Sequence, residues 1–138
     1  MCGIVGHLKK NDQIEKSVFK EMVETLTHRG PDGEGIYFST NGKKALGHRR
    51  LSFLDLTESG QQPMPNNAKT IWVTFNGEIY NYLELKAELS ELYNFRTGTD
   101  TEVILAAYQT WGIEFVNRLK GMFALGILDE KKNQLHLI

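Results

Sequence analysis

The sequence predicts an α+β layered sandwich in which helices cover antiparallel sheets. Strand-like segments occur in runs, and helical stripes lie between these runs instead of alternating with single strands. The Asn41-Gly42 pair, between two short apolar segments, is a strong hairpin signal. Of the 138 residues, 41% are hydrophobic and 24% are charged, which is typical of one globular domain with a core of ordinary size.

In the first part of the chain we predict one strand, one helix and one hairpin. Residues 3 to 8 form an apolar strand, and residues 35 to 39 and 45 to 48 form the hairpin. Between them, apolar residues recur at helical spacing until proline and glycine at positions 30 to 33 prevent continuation. This helical stripe consists of Ile14, Val18, Phe19, Met22, Val23 and Leu26.

The second part of the chain starts with a long polar connection, residues 55 to 69, whose length is typical of functional loops. A β-branched and aromatic strand, residues 71 to 75, follows and is predicted to stop at Asn76-Gly77. Two helical stripes come next, and residues 99 to 102 form a capping box for the second. The stripes consist of Tyr82, Leu85, Leu89 and Leu92, and of Val103, Ile104, Ala107, Tyr108 and Trp111.

A short helix at residues 113 to 119 and a last hairpin, residues 122 to 128 and 134 to 138, complete the predicted elements. No repeat or linker interrupts the pattern, so residues 1 to 138 are interpreted as a single domain. Because the chain stops inside a strand pattern, we expect this domain to be truncated at its C-terminal end.

Composition and charge exclude several classes of function. A formal net charge of −1 argues against a polyanionic partner such as nucleic acid. The single cysteine leaves no intramolecular disulfide and fits a reducing compartment. No apolar stretch approaches the ~18 residues that span a bilayer, and early charged residues argue against a signal peptide. We therefore expect a cytoplasmic protein without membrane contact.

Candidate chemistry begins at Cys2. Cysteine is small enough for methionine aminopeptidase to remove Met1, so we expect the mature chain to begin with Cys2. Its thiol, with a reference pKa of ~8.5, and its α-amine, at ~7.7–8.0, would then share one Cα and could act as nucleophile and base. The alternative is a small buried hydrophobe, the usual fate of a lone cysteine. The first six residues alone do not separate these interpretations.

Three other places carry polar groups near strand or helix ends, and none is specific by itself. Neighbouring side chains of an extended strand face opposite ways, so only one of Arg49 and Arg50 can face a pocket, where it could bind a carboxylate. The alternative is that both are solvated surface arginines, which is more common. Asn76-Gly77 is usually a turn, but it could offer an amide and a backbone N–H to an oxyanion. Asp100 either stabilises a helix N-terminus or receives a substrate ammonium.

Seven motifs together make the chain similar to a known family. They are Met-Cys-Gly-Ile-Val-Gly at 1–6, His-Arg-Gly-Pro-Asp at 28–32, Gly-His-Arg-Arg-Leu-Ser at 47–52, Gly-Gln-Gln-Pro-Met at 60–64, Phe-Asn-Gly-Glu-Ile-Tyr-Asn-Tyr at 75–82, Thr-Gly-Thr-Asp-Thr-Glu at 97–102 and Leu-Lys-Gly-Met-Phe-Ala at 119–124. With them the chain resembles, over essentially its whole length, the N-terminal glutaminase domain of asparagine synthetases. That domain is a class II glutamine amidotransferase, an N-terminal-nucleophile (Ntn) hydrolase. The resemblance implies a four-layer αββα sandwich with two antiparallel sheets between helices.

The resemblance implies catalytic roles for several residues. Cys2 would be the nucleophile, and the Asn76 side chain with the Gly77 N–H would form the oxyanion hole. Because the α-amine would be the base, His48 is interpreted as structural. Residues 29 to 32 would lie in a loop that closes over the substrate.

The resemblance also implies a binding site for L-glutamine. Arg50 would hold the α-carboxylate, and Asp100 and Glu78 would hold the α-ammonium. Leu51 and Phe53 would contact the substrate, largely through their backbone. Phe53 departs from the isoleucine that is commoner in the family, a change that should matter little if its carbonyl makes the contact.

The implied reaction converts L-glutamine and water to L-glutamate and ammonia, without a cofactor in this domain. The ammonia would amidate aspartate or a similar carboxylate in a synthetase domain, in cis or in trans, to which the expected ATP and Mg²⁺ belong. The Ser-Gly-Gly-x-Asp-Ser phosphate loop of that domain does not occur in this sequence. Two alternatives stay open: a non-catalytic module that binds glutamine or docks a partner, and an inactive truncation product.

Overall fold

The strands of the computed structural model, which describes residues 2–51 and 60–138, form two antiparallel sheets. They are β1 (Gly3–Leu8), β2 (Gly33–Phe38), β3 (Lys44–Arg50), β4 (Met64–Pro65), β5 (Ile71–Ile79), β6 (Gly121–Asp129) and β7 (Gln134–Leu137). The first sheet has the order β1-β3-β2 and the second has the order β4-β5-β6-β7. The helices are α1 (Lys16–Glu24), α2 (Tyr82–Leu89) and α3 (Asp100–Trp111), with a 3-10 helix at Gly112–Arg118.

These elements stack in four layers. Helix α1 contacts β1 and β3, and the same two strands contact β5 and β6 of the second sheet. Helix α3 packs on β5 from the other side and is flanked by α2. The predicted αββα sandwich with two antiparallel sheets between helices is therefore confirmed. Within the described ranges, no helix has the length and apolar character needed to cross a membrane.

Two cores hold the layers together. Phe19, Val23 and Ala45 are fully buried between α1 and the first sheet. A larger core fills the space between the second sheet and α2 and α3, and residues such as Val73 and Ile104 are fully buried there. Full burial of one such aliphatic or aromatic side chain contributes about 1.5–3 kcal/mol. The larger core lies between β5 and α3, the two elements that carry Asn76, Gly77, Glu78 and Asp100.

The turn between β2 and β3 forms as predicted. Gly42 adopts a φ of 68°, a conformation that favours glycine, and its N–H donates to the Ser39 carbonyl at 2.8 Å. The Asn41 side chain accepts from the Lys43 N–H at 3.0 Å. The register that follows brings the Cys2 end of β1 and the Arg50 end of β3 to the same edge of the sheet, because Gly3 lies opposite Arg49.

The main correction concerns β5, which does not stop at Asn76-Gly77. It continues to Ile79, because β6 offers a pairing partner along its whole length as far as Gly121. Pairing with a neighbouring strand thus outweighs the local turn preference of Asn-Gly. As a result, Asn76, Gly77 and Glu78 lie on a rigid strand and not in a loop.

Smaller corrections concern single side chains and one connection. Val18 is 48% exposed and Leu92 is 66% exposed, so neither belongs to the core stripe predicted for it. Leu92 lies beyond the end of α2, which stops at Leu89. The predicted polar connection contains the short strand β4, and its residues 55 to 59 lie outside the described residues.

Helix α3 begins with one half of the predicted capping box and a buried acid, because the Thr99 N–H donates to the Thr97 hydroxyl and not to Glu102. The Thr99 side chain accepts from the Glu102 N–H at 3.3 Å. The Glu102 carboxylate is fully buried and turns back to the preceding segment, where it accepts from the N–H of Arg96 at 3.0 Å and of Thr97 at 2.6 Å. This carboxylate fixes the chain just before Asp100.

We predict that Glu102→Ala lowers the free energy of unfolding by about 3 kcal/mol, because it leaves N–H donors in a partly buried segment without acceptors. Chemical denaturation measures the change. Glu91 is exposed, and Glu91→Ala is a matched control expected to stay within about 0.5 kcal/mol of wild type. Equal stabilities of the two variants would contradict this account of Glu102.

Candidate active site

Cys2 lies directly before β1, and the segment after α1 packs against this end of the strand. Cys2 is half-buried, and its thiol forms no disulfide. The Arg29 Nε donates to the Cys2 carbonyl oxygen at 3.2 Å. A Cβ at Gly3 would lie 2.9 Å from the Leu26 Cβ, so the neighbouring chain leaves no room for a side chain there. The backbone of Cys2 is therefore held in place by contacts that do not involve its thiol.

The segment of residues 28 to 32 contacts both Cys2 and the end of β3. A Cβ at Gly30 would lie 2.4 Å from the Arg49 carbonyl oxygen, so only glycine fits this approach. The Asp32 N–H donates to the Arg50 carbonyl at 3.0 Å. This motif thus fixes the chain segments of Cys2 and Arg50 relative to each other. Its closure over a substrate stays a prediction.

The oxyanion candidates lie on β5 beside β6. Asn76 pairs with Ala124, and Gly77 pairs with Phe123. Gly77 has a φ of 152°, and a Cβ there would lie 2.1 Å from the Met122 carbonyl oxygen. A residue with a side chain cannot occupy this position without moving β6.

Asp100 is the first residue of α3, and its carboxylate contacts the end of β5. Its Oδ2 accepts from the Ile79 N–H at 3.2 Å. Burial raises the pKa of Asp100 above its ordinary value, and the negative charge of Glu78 raises this pKa further. Hydrogen bonds from the backbone N–H groups of Ile79 and Thr101 act in the opposite direction. A buried carboxylate beside a second one gains stabilisation from a cationic ligand.

These groups line one cavity of about 680 Å³. Its size lies within the range of small-molecule sites. The wall consists of Cys2, Leu51, Gln62, Phe75, Asn76, Gly77, Glu78, Tyr80, Asp100, Thr101, Met122, Phe123 and Ala124. A second hollow of about 710 Å³ lies along residues 86 to 97 and includes none of the predicted site residues. The two cavities have similar volumes, and the first is distinguished by the thiol, amide and carboxylate groups in its wall.

Most of the residues that the sequence singled out meet in this cavity, namely Cys2, Leu51, Asn76, Gly77, Glu78 and Asp100. Arg50, at the end of β3, is not part of the wall. Its guanidinium lies beside Gly60, where a Cβ would be 3.5 Å from the Arg50 Nη2. Phe53 lies outside the described residues.

Arg49 and Arg50 differ in their surroundings, as the alternation of an extended strand requires. The Arg49 Nη1 donates to the Glu34 Oε2 at 2.9 Å, and its Nε donates to the Gly30 carbonyl at 3.1 Å. Arg49 is therefore engaged in holding β2 and the segment before it. Arg50, next to the wall residue Leu51, is the arginine nearer in sequence to the cavity.

His48 is buried in β3 and does not line the cavity. Burial lowers its pKa to about 4; a hydrogen bond with the Phe75 backbone raises this pKa, and the positive charge of Arg50 lowers it. Its Nε2 has no hydrogen-bond partner within residues 2–51 and 60–138. A neutral, buried imidazole is consistent with the structural interpretation of His48.

Several wall residues were not singled out from the sequence. Gln62 belongs to the motif at 60–64, which by itself predicts no role for it, and Thr101 directly follows Asp100 in the sequence. Residues 122 to 124 line the cavity because they pair with Asn76, Gly77 and Glu78. Their sequence signal is weak, since it depends on knowing the register of β5 and β6. In the part of the chain that the structure describes, no group of three His, Cys, Asp or Glu residues could hold a metal ion.

Comparisons with known proteins agree on one family. A family described as "Glutamine amidotransferase domain" matches residues 1–138. Asparagine synthetase B [glutamine-hydrolyzing] of Escherichia coli (strain K12) is 45% identical over 135 residues, which cover 96% of this chain and 24% of that protein. Asparagine synthetase [glutamine-hydrolyzing] 1 of Arabidopsis thaliana is 44% identical over 135 residues, which cover 96% of this chain and 22% of that protein. This chain spans about a quarter of the length of these relatives.

A solved structure supports the fold. The glutamine phosphoribosylpyrophosphate amidotransferase of Bacillus subtilis, complexed with ADP and GMP, superposes with a TM-score of 0.70. The alignment covers 94% of this chain and 35% of that chain at 23% sequence identity. At that identity the likeness concerns the fold, whereas the family match covers every residue. The chain therefore belongs to the glutamine amidotransferase domain family.

Proposed function

We propose that this protein hydrolyses L-glutamine to L-glutamate and ammonia through a thioester on Cys2. The observation that carries the proposal is that Cys2, Asn76 and Asp100, which come from three distant parts of the sequence, line one cavity. A nucleophile, an amide donor and an anion for an ammonium are the groups that an amino-acid amide requires. The family of the chain supports the same reaction.

Substrate binding rests on charge. Asp100 and Glu78 place two carboxylates together in the cavity wall, and we assign the α-ammonium of glutamine to them. We assign the α-carboxylate to Arg50, since a guanidinium pairs with a carboxylate through two parallel hydrogen bonds. Leu51, and by resemblance Phe53, complete the binding site. The γ-carboxamide then extends toward Cys2 and Asn76.

In the proposed reaction the Cys2 thiolate attacks the carbonyl carbon (Cδ) of the side-chain carboxamide. A C–S bond forms, the carbonyl electrons move to oxygen, and the Asn76 amide with the Gly77 N–H stabilises that oxyanion. When the carbonyl re-forms, the C–N bond breaks, and the α-amine of Cys2, exposed once Met1 is removed, carries the thiol proton to the departing nitrogen, which leaves as ammonia. Water then attacks the γ-glutamyl thioester, which releases glutamate and returns the proton to the thiol.

The fate of the ammonia lies with a synthetase partner, in cis or in trans. The relatives described above carry the name asparagine synthetase. We therefore propose that the ammonia amidates aspartate or a similar carboxylate. ATP and Mg²⁺ belong to that partner, and the glutaminase step proposed here uses neither.

An assay of the purified protein for glutamate and ammonia tests the proposal directly. We expect the two products in equal amounts from L-glutamine. A non-catalytic binding module would bind glutamine, as seen by titration calorimetry, without releasing ammonia. An inactive truncation product would fail to melt in one cooperative transition. Either result would contradict the proposed activity.

The raised pKa of Asp100 leads to a prediction about pH. Only the ionised carboxylate attracts the substrate ammonium, so KM for glutamine should rise as the pH falls through this raised pKa. Asp100→Asn should raise KM by about 10–100-fold at neutral pH, the worth of a charge-assisted contact, and remove the acid limb of the KM profile. Steady-state kinetics from below the ordinary pKa of an aspartate up to neutral pH measure both effects.

The thermal stability of Asp100→Asn distinguishes a role of Asp100 in substrate binding from a role in folding. A carboxylate whose pKa is raised on folding opposes folding when it is ionised, and this cost disappears as the pH falls below that pKa. Asp100→Asn should therefore melt at neutral pH no lower than the wild-type protein. A variant that melts much lower, with KM unchanged, would contradict the assignment of Asp100 to substrate binding.

A further inference from the structure

A buried amide, Gln62, joins the strand of the proposed oxyanion hole to the helix that carries Asp100. Gln62 is 9% exposed and lines the cavity. Its Oε1 accepts from the Phe75 N–H at 2.6 Å, and its Nε2 donates to the Thr101 Oγ1 at 3.4 Å. Phe75 directly precedes Asn76, and Thr101 directly follows Asp100. One side chain thus contacts the immediate neighbours of two proposed site residues.

The place of Gln62 follows from the register of β4 and β5. Met64, the first residue of β4, lies opposite Val73, so Gln62 precedes β4 and lies beside Phe75. The backbone carbonyl of Gln62 is directed to β2, since a Cβ at Gly35 would lie 1.9 Å from it. The side-chain oxygen of Gln62 therefore supplies the acceptor for the buried Phe75 N–H, as a strand carbonyl would.

We propose that Gln62 is a positioning residue for the glutaminase reaction, an inference that rests on the function proposed above. Its amide holds β5 and the first turn of α3 together, so that the Asn76 amide and the Asp100 carboxylate keep the spacing of one substrate. Oxyanion donors act at about 2.7–3.1 Å from the developing charge, and a shift of about 1 Å can cost about 10²-fold in rate. Gln62 acts through Phe75 and Thr101.

Three variants test this proposal by steady-state kinetics. Gln62→Met keeps the length of the side chain and removes both hydrogen bonds, and should lower kcat/KM by about 10–100-fold, with a loss in kcat. Gln62→Glu keeps an oxygen for the Phe75 N–H and can accept from the Thr101 hydroxyl, and should recover most of that loss. Gln61 is the exposed neighbour in the same motif. Gln61→Met should retain wild-type kcat within about twofold.

The outcomes separate this inference from the proposed function. A wild-type protein without glutaminase activity overturns both. An active wild type with an unimpaired Gln62→Met, or with Gln62→Glu as slow as Gln62→Met, overturns the role of Gln62 alone. Thermal melts check the fold of each variant. If Gln62→Met does not melt cooperatively, Thr101→Val replaces it; a kcat loss of about threefold or more is then expected, and an unchanged kcat overturns the proposal.

Discussion

Cys2→Ala is expected to abolish glutamate release while glutamine still binds. In the proposed reaction the thiol is the only protein group that forms a bond to the substrate, and removal of such a nucleophile lowers kcat by about 10⁴-fold or more. Binding should survive because the charges assigned to substrate recognition, on Arg50, Glu78 and Asp100, are unchanged. The glutamate-release assay and titration calorimetry with L-glutamine measure the two properties separately.

The fold of the Cys2→Ala variant should be intact. Cys2 is half-buried at the edge of the first sheet, outside the two cores, and such substitutions change the free energy of unfolding by about 1 kcal/mol or less. Cys2→Ser, which keeps a weaker nucleophile of similar size, is the matched control and should bind glutamine equally well. A Cys2→Ala protein that still releases glutamate would refute the assignment of the nucleophile.

A group attached to the α-amine of Cys2 should inactivate the protein as well. Acylation of this nitrogen, by Met1 or by a tag, removes the lone pair that makes it a base. General acid–base catalysis of this kind typically contributes about 10²–10⁴-fold, so a comparable loss of kcat is expected. Glutamine binding should change much less, because the amine is assigned to proton transfer.

A tagged protein assayed before and after removal of the tag tests this prediction with an internal control. An N-terminal tag ending in a protease site that leaves Cys2 as the first residue blocks the amine until it is cleaved. Activity should rise by about 10²-fold or more on cleavage, in step with the mass of the shortened chain. The same treatment of Cys2→Ala should produce no activity. Full activity before cleavage would show that the α-amine is not the base.

Local patterns predicted most of the helices and strands because the interactions that decide them are local, whereas the four-layer arrangement was implied by the family resemblance. The Asn41-Gly42 turn fixes β2 and β3, and the Thr99 cap fixes the start of α3. The errors arise where tertiary contacts decide. β5 passes through Asn76-Gly77 because β6 pairs with it, and Leu92 is exposed because α2 ends before it. Neither the extension of β5 nor the end of α2 can be predicted from the local sequence.

The candidate site was predictable where motifs carry chemistry and was missed where geometry carries it. Cys2, Asn76 and Asp100 bear a thiol, an amide and a carboxylate, and the roles proposed for them come from the motifs in which they lie. The role proposed for Gln62 comes from its position near Phe75, which depends on the register of a two-residue strand. Arg50 shows the converse, since its predicted role is clear but its guanidinium lies beside Gly60 and outside the cavity wall.

The most direct measurement is the mass of the N-terminal peptide after acid quenching during turnover of L-glutamine. The account predicts a γ-glutamyl adduct on Cys2 that forms in the wild-type protein, disappears when glutamine is exhausted and never forms in Cys2→Ala. Steady release of glutamate by a protein whose adduct lies on another residue would contradict it.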